Sequence, residues 1–126
     1  MKASKILFLA SIILLSSAAL TGCRKKKETI AKILVRDSAN QPVSGATVEL
    51  QAGGGTVPGA SVNTDYFPMT TTSNSAGEAV FNFDEIYQLG QAGVVVLDIK
   101  VTSGSGNGQG VIKVEEETTT EETVFV

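Results

Sequence analysis

The chain of 126 residues has no histidine and no tryptophan, only one cysteine, Cys23, and only three prolines. Without histidine it lacks the commonest general base and the commonest ligand of transition metals, which excludes Ser-His-Asp, Cys-His and His-zinc sites. A single cysteine excludes an internal disulfide, so a folded domain must be held by apolar burial and strand pairing alone. These absences predict a protein that is not an enzyme and that needs no cofactor.

Basic residues are scarce beyond the first thirty positions. Ten Lys and Arg face thirteen Asp and Glu, but six of the ten are Lys2, Lys5 and the run 24–27. A phosphate-binding face needs clustered basic side chains on the folded domain, so nucleic acid is not expected as a partner. The basic run 24–27 is better suited to the anionic headgroups of a membrane.

The first 23 residues have the layout of a secretory signal. Lys2 and Lys5 precede an apolar and small-residue run, 6–20, which ends in Leu20-Thr21-Gly22-Cys23. The run has about 15 residues, fewer than the roughly 20 of a membrane-spanning helix. Its end resembles the lipobox of bacterial lipoproteins, in which cleavage before the cysteine is accompanied by attachment of a diacylglyceryl group to its sulfur.

That resemblance implies three segments. Residues 1–22 are a signal peptide whose lipobox is completed by Leu20, Thr21 and Gly22, residues 23–29 are the lipidated cysteine with a polar tether, and residues 30–126 are the folded domain. An ordinary signal peptide followed by a chance cysteine is the alternative. Attachment of two or three acyl chains at Cys23 would hold the protein on its membrane, because each buried methylene adds roughly 0.8 kcal/mol.

Residues 30–126 carry the period-two alternation of β-strands. Seven strands are predicted, at 30–36, 45–51, 67–72, 78–83, 93–102, 111–114 and 118–126. Turns are predicted at 37–42, 73–77 and 104–110, a long mobile loop at 52–66, and an irregular connection or one helical turn at 84–91. Gly77 is expected to adopt a positive φ in a hairpin. Without a convincing helix, this pattern predicts an all-β, seven-stranded antiparallel Greek-key β-sandwich.

Three segments strengthen this interpretation. Val35-Arg36-Asp37-Ser38 precedes a Pro-Val-x-Gly-Ala turn and a second strand in 42–50, and 71–81 places Gly77 before an aromatic strand. This arrangement resembles the carboxypeptidase regulatory-like, or transthyretin-like, immunoglobulin-type domain. The resemblance covers about residues 30–83 and weakens at 86–93, where the family's short Gly-Tyr segment is replaced by a longer one. It implies an immunoglobulin/transthyretin-like fold, typically non-catalytic, and says almost nothing about a ligand.

Few side chains qualify as candidate sites. Asp37-Ser38-Ala39 resembles the acceptor used for O-glycosylation in Bacteroidetes, which makes Ser38 a possible glycosylation site, with a plain turn serine as the alternative. Tyr66 and Tyr87 flank the irregular segments and could contact a ligand, or could simply cap the sandwich end. Five glutamates, at 115–117, 121 and 122, could gather a hard cation. Adjacent residues of a strand point to opposite faces, so no metal site is expected there.

The function expected from the sequence is that of a non-catalytic, membrane-anchored envelope lipoprotein, a structural or interaction module whose contact surface is the loop 52–66. The alternative is an accessory lipoprotein that binds a glycan or peptide substrate. A minor third hypothesis is a carboxylate-dependent hydrolase that uses Asp84, Glu85 and Asp98. Expected partners are the membrane, through the lipid anchor, and envelope proteins or glycans.

The residue after the cysteine bears on localisation. Arg24 resembles outer-membrane sorting more than the aspartate signal for retention in the inner membrane, and no acidic run of the kind associated with surface export follows Cys23. We therefore expect lipid anchoring in the bacterial outer membrane, with a periplasm-facing placement favoured over the cell surface.

Overall fold

Seven strands build the molecule in a computed structural model that describes residues 25–52, 64–86 and 94–126. In chain order they are β1 Ile30–Arg36, β2 Thr47–Ala52, β3 Met69–Thr72, β4 Glu78–Asn82, β5 Val94–Ser103, β6 Gly106–Glu115 and β7 Thr119–Phe125. They form a three-stranded sheet of order β4-β1-β7 and a four-stranded sheet of order β3-β2-β5-β6. A 3-10 turn, Thr64–Tyr66, precedes β3. The fold is an all-β sandwich.

No helix within the described residues is both long enough and apolar enough to cross a membrane.

The core lies between the two sheets and is supplied by every second residue of their strands. The inward residues of β2 and β5, together with Ala46 just before β2, are those that the alternation predicts, and each of them is at most 5% exposed: Ala46, Val48, Leu50, Val95, Leu97, Ile99 and Val101. The prediction for Ala79, Phe81 and Phe83 is also confirmed. Branched and aromatic side chains suit a pleated surface that is buried on one face, which is why these segments form strands. The first strand has the predicted bounds, 30–36.

The prediction of a fully antiparallel sandwich is wrong at one strand pair. β7 runs parallel to β1, with Ile30 opposite Thr119 and Arg36 opposite Phe125. The turn after β6 carries the chain from the four-stranded sheet to the three-stranded one, so β7 begins at the end of the sandwich where β1 also begins. The last strand therefore closes the smaller sheet without forming a hairpin with β6.

The turn at 73–77 was predicted to form a hairpin. It instead carries the chain from one sheet to the other. β3 pairs with β2, whereas β4 pairs with β1. Gly77 has the predicted positive φ, 75°. A Cβ at this position would lie 2.6 Å from the Val35 carbonyl oxygen and 3.0 Å from the Pro42 Cβ. Glycine is therefore required both for the backbone conformation and for the close approach of the two crossing connections.

The predicted glycine-rich turn at 104–110 is mostly strand. Ser103 pairs with Gly106, which leaves a two-residue turn, and β6 continues from Gly106 to Glu115. Gly108 faces the interior, where a Cβ would lie 2.4 Å from the Phe125 carbonyl oxygen and 2.6 Å from the Val124 Cγ1. The glycines of β6 thus let β7 pass close to the inner surface of the four-stranded sheet. Local composition indicates a turn, and this long-range packing overrides it.

Smaller differences concern the remaining connections. β3 begins at Met69 and not at 67, and β7 ends at Phe125. A turn covers 84–86, in agreement with an irregular connection, while 87–93 lie outside the described residues. Most of the predicted loop 52–66 also lies outside them, since only Ala52 and 64–66 are described.

The strand register sorts the connections to two opposite ends of the sandwich. Ile30 pairs with both Asn82 and Thr119, and Val94 pairs with Glu115, so the chain's entry and the connections after β2, β4 and β6 share one end. We call it the tether end, and it contains Thr29, Ala52, Tyr66, Asp84 and the turn 116–118. The opposite, or far, end contains the turns 37–42, 73–77 and 104–105, together with Val126.

Candidate functional site

The outer face of the four-stranded sheet carries rows of polar side chains. Alternation turns Glu49 and Gln51 of β2 outward because Val48 and Leu50 are buried. In the register, Glu49 lies opposite Lys100, and Gln51 lies opposite Asp98. β6 extends both rows, with Gln109 opposite Lys100 and Val111 opposite Asp98. Two strands and an edge strand thereby bring amide, carboxylate and ammonium groups to one surface.

A shallow groove crosses this surface, and we call it the outer groove. Its main depression has a volume of about 420 Å³ and is lined by Gln51, Asp98, Lys100, Gln109 and Val111, with the backbone of Ile99 and Gly110 beneath. A second depression of about 280 Å³ is lined by Gln51, Ala52, Phe67 and Pro68. Gln51 lines both, so the two depressions share its side chain.

The groups of the outer groove are suited to hydrogen bonding. Gln51 Nε2 donates a hydrogen bond to Glu49 Oε1, which orients the amide. Asp98 offers an acceptor and Lys100 a donor, while Val111, 53% exposed, supplies apolar surface beside them. Such a mixture can bind a neutral polar molecule or an extended peptide, because it combines donors, acceptors and a small apolar contact.

Ser38 lies at the far end, on an exposed turn that its neighbour organises. Asp37 Oδ1 accepts hydrogen bonds from the backbone N–H groups of Ala39 and Gln41, both at 2.9 Å. Asn40 adopts a positive φ of 62°, and its N–H donates to the Asp37 carbonyl oxygen. The Asp37 side chain is thus bonded to the turn itself, which leaves Ser38 projecting from a defined loop.

Tyr66 lies at the tether end and is 49% exposed. It closes the 3-10 turn before β3, while the next residue, Phe67, packs partly against the core. Phe67 and Pro68, which follow Tyr66 in the chain, line the second depression of the outer groove, and Tyr66 itself lines neither depression. Tyr87 lies outside the described residues, as do Leu20, Thr21, Gly22 and Cys23.

The structure does not bring together the carboxylates considered for hydrolysis. Asp84 Oδ1 accepts the backbone N–H of Thr29 at 2.8 Å, which is a structural bond at the tether end. Asp98 belongs to the outer groove on the other sheet. Across 25–52, 64–86 and 94–126, no group of three or more Cys, Asp or Glu side chains is arranged to hold a metal ion, and this includes the glutamates near 115–122.

Two features were not predicted from the sequence. The first is the outer groove: the alternation indicates that Thr47, Glu49 and Gln51 share one face and that Asp98, Lys100 and Thr102 share another, but not that β2 and β5 are neighbours. Gln109 was assigned to a turn. The second is Thr29, which is fully buried where the tether joins the sandwich. Its burial depends on contacts with residues more than fifty positions away, so no local signal indicates it.

Comparisons with known proteins add little to this geometry. No protein-family model matches the chain. No curated protein matches it either. Among solved structures, the chain is similar to the Bacillus anthracis TIE protein with a TM-score of 0.46 and 12% sequence identity. The similarity covers 79% of this chain and 16% of that one, so the chain spans less than a fifth of that protein's length. The fold assignment rests on the strands and their register.

Proposed function

We propose that this chain is a non-catalytic envelope lipoprotein, anchored in the bacterial outer membrane through Cys23 and facing the periplasm. Its β-sandwich acts as a structural or interaction module. The observation that carries the proposal is where the folded body begins. The seven strands of the described residues all lie at or after Ile30, so cleavage before Cys23 would leave each of them complete.

The sandwich is proposed to be of the immunoglobulin-like Greek-key type found in carboxypeptidase regulatory-like, or transthyretin-like, domains. The family's Pro-Val-x-Gly-Ala segment leads from β1 into β2 on the other sheet, as a sandwich connection should. Gly77, the glycine of the family's second motif, lies at the other crossing. Those two features support the assignment. The proposed fold must also include the parallel pairing of β7 with β1.

A partner is proposed to bind at the outer groove. This surface is favoured over the loop 52–66 because its side chains are aligned on three rigid strands, and rigid positioning lowers the entropic cost of binding. Envelope proteins are the expected partners. The second candidate is a glycan or peptide substrate, and the observation that favours it is the meeting of amide, carboxylate and ammonium groups beside exposed Val111.

Anchoring is tested by fractionating bacteria that express the full chain. The wild-type chain should stay with the membranes through a high-salt wash, since acyl chains are insensitive to salt. Cys23→Ser should appear in the soluble envelope fraction instead. Ser38→Ala, a change at an exposed turn, is the matched control and should remain on the membrane. Equal membrane retention of Cys23→Ser would contradict the proposal.

The groove is tested with arrays of glycans and of peptides, probed with the purified lipoprotein in detergent. Binding to either array should fall about tenfold or more in Gln51→Ala and Gln109→Ala, which corresponds to about 1.4 kcal/mol. Glu121→Gln, on the other sheet, is the control and should bind normally. Binding that survives both groove changes but is lost in Tyr66→Ala would move the site to the tether end.

A further inference from the structure

The joint between the tether and the sandwich is fixed by one buried residue. Thr29 is fully buried, and its backbone N–H donates to Asp84 Oδ1 at 2.8 Å. Its carbonyl oxygen accepts the Phe83 N–H at 2.9 Å. Its Oγ1 accepts the Glu117 N–H, also at 2.9 Å. Three bonds to two separate turns make Thr29 part of the body, so a lipid attached at Cys23 would pull on the sandwich at this point.

The tether is short compared with the sandwich. Five residues, 24–28, lie between Cys23 and Thr29. Fully extended, the six Cα–Cα steps from Cys23 to Thr29 span at most about 21 Å. β1 alone carries the chain about 20 Å from the joint to the far end. An inverted sandwich, with its far end on the membrane, would therefore need the tether stretched to its limit, whereas no orientation can carry the tether end farther from the membrane than the tether allows.

From this geometry we infer that the tether end of the sandwich is a membrane-facing surface, held near the lipid surface in which Cys23 is anchored, and that the far end lies on average farther from it. The inference rests on the proposed lipidation of Cys23. It places half-exposed Tyr66 and both described ends of the loop 52–66 beside the lipid. Ser38 lies on the outward end, where a modifying enzyme or a soluble partner can reach it.

The tether end itself is acidic, and only the basic run 24–27 carries charges that attract an anionic lipid surface. Carboxylates crowd this end, at Asp84, Glu85 and 115–117. Lysines 25–27 stand between the lipidated cysteine and those carboxylates along the chain. This basic segment attracts anionic headgroups and so offsets part of the repulsion that the acidic end would otherwise experience.

The experiment uses the mature lipidated chain, whose lipidation is first established by intact mass. Because lipid occupies the Cys23 sulfur, each introduced cysteine is the sole free thiol and can carry one fluorophore. Labels are placed at the tether end with Tyr66→Cys and Glu85→Cys, and at the far end with Ser38→Cys and Ser105→Cys. The chains are reconstituted in vesicles of phosphatidylethanolamine and phosphatidylglycerol that contain a lipid with a spin-labelled headgroup.

Quenching at 66 and 85 should exceed quenching at 38 and 105 several-fold. Equal quenching at the two ends of a lipidated chain would overturn the inference and leave the lipid anchor intact. An unlipidated chain would overturn the proposed function itself, and with it the basis of the inference. The two failures are therefore distinguishable.

Two controls test the physical cause. A Gly/Ser stretch inserted between Lys27 and Glu28 should keep the chain on the vesicles and remove most of the difference between the ends. A difference that persists with the long tether would contradict the argument from length. In vesicles of phosphatidylcholine alone the difference should remain, and its loss would mean that the lysines, and not the joint, orient the sandwich, which also overturns the inference.

Discussion

At the scale of single residues, a few backbone positions determine how the two sheets are joined. Gly77 lies between Val35 and Pro42, and its carbonyl oxygen accepts the Val35 N–H at 2.7 Å. Ser73, which is buried, accepts the Ala46 N–H at its Oγ and donates to the Val43 carbonyl oxygen. Both crossing connections at the far end are thus bonded to each other.

Gly77→Ala should lower the free energy of unfolding by about 3 kcal/mol or more, because strain from the positive φ adds to overlap with the Val35 carbonyl oxygen. Gly45→Ala is the matched control. Gly45 has a similar φ of 74° but open space around it, so only the backbone term, about 1 kcal/mol, should be lost. Urea denaturation measures both. Equal losses in the two variants would show that the predicted collision is absent.

Thr29→Val should cost about 1–3 kcal/mol, because it keeps the shape of the side chain and leaves the Glu117 N–H without its acceptor. Thr29→Ser retains the hydroxyl and should cost less than Thr29→Val, although it removes a buried methyl group. Thermal denaturation of both variants decides this. A valine variant as stable as the wild-type protein would mean that the hydroxyl does not fix the joint.

At the scale of elements, the sequence predicts what is local and misses what is distant. The inward residues of β2, β4 and β5 follow from alternation alone. The start of β6 does not, because three glycines within five residues, at 106, 108 and 110, are typical of a turn. Their role depends on β7, which is remote until the sandwich forms. For the same reason the parallel pairing of β7, and the outer groove built from three strands, could not be predicted.

A graded alanine series tests the position of β6. Gly108→Ala should be the most destabilising, by about 2 kcal/mol or more, since its Cβ would meet the backbone of β7. Gly110→Ala should cost less, because its nearest neighbours are side-chain methyl groups of Val124 and Ile99, at 3.1 and 3.4 Å, and not backbone atoms. Gly104→Ala, with nothing within 4 Å, should be nearly neutral. Three equal, small effects in urea denaturation would contradict this position of β6 and favour the turn predicted at 104–110.

At the scale of the whole molecule, the two ends of the sandwich differ in the connections that they carry. The chain enters at the tether end, and its three other connections at that end lie beside the entry point. The far end carries the exposed Ser38 turn and Val126. Acidic residues outnumber basic ones in the folded part, with twelve against four from Ile30 onward, while the remaining basic residues of a processed chain lie in the tether. This separation of charge along the chain fits a body that stands on a membrane through its first residues.

The most direct test of the central claim is the intact mass of the full-length product recovered from bacterial membranes. We predict a chain that begins at Cys23, lacks residues 1–22 and carries the added mass of a diacylglyceryl group, with or without a further acyl chain. A chain that retains Met1, or one that begins at another residue and has an unmodified Cys23, would contradict the account.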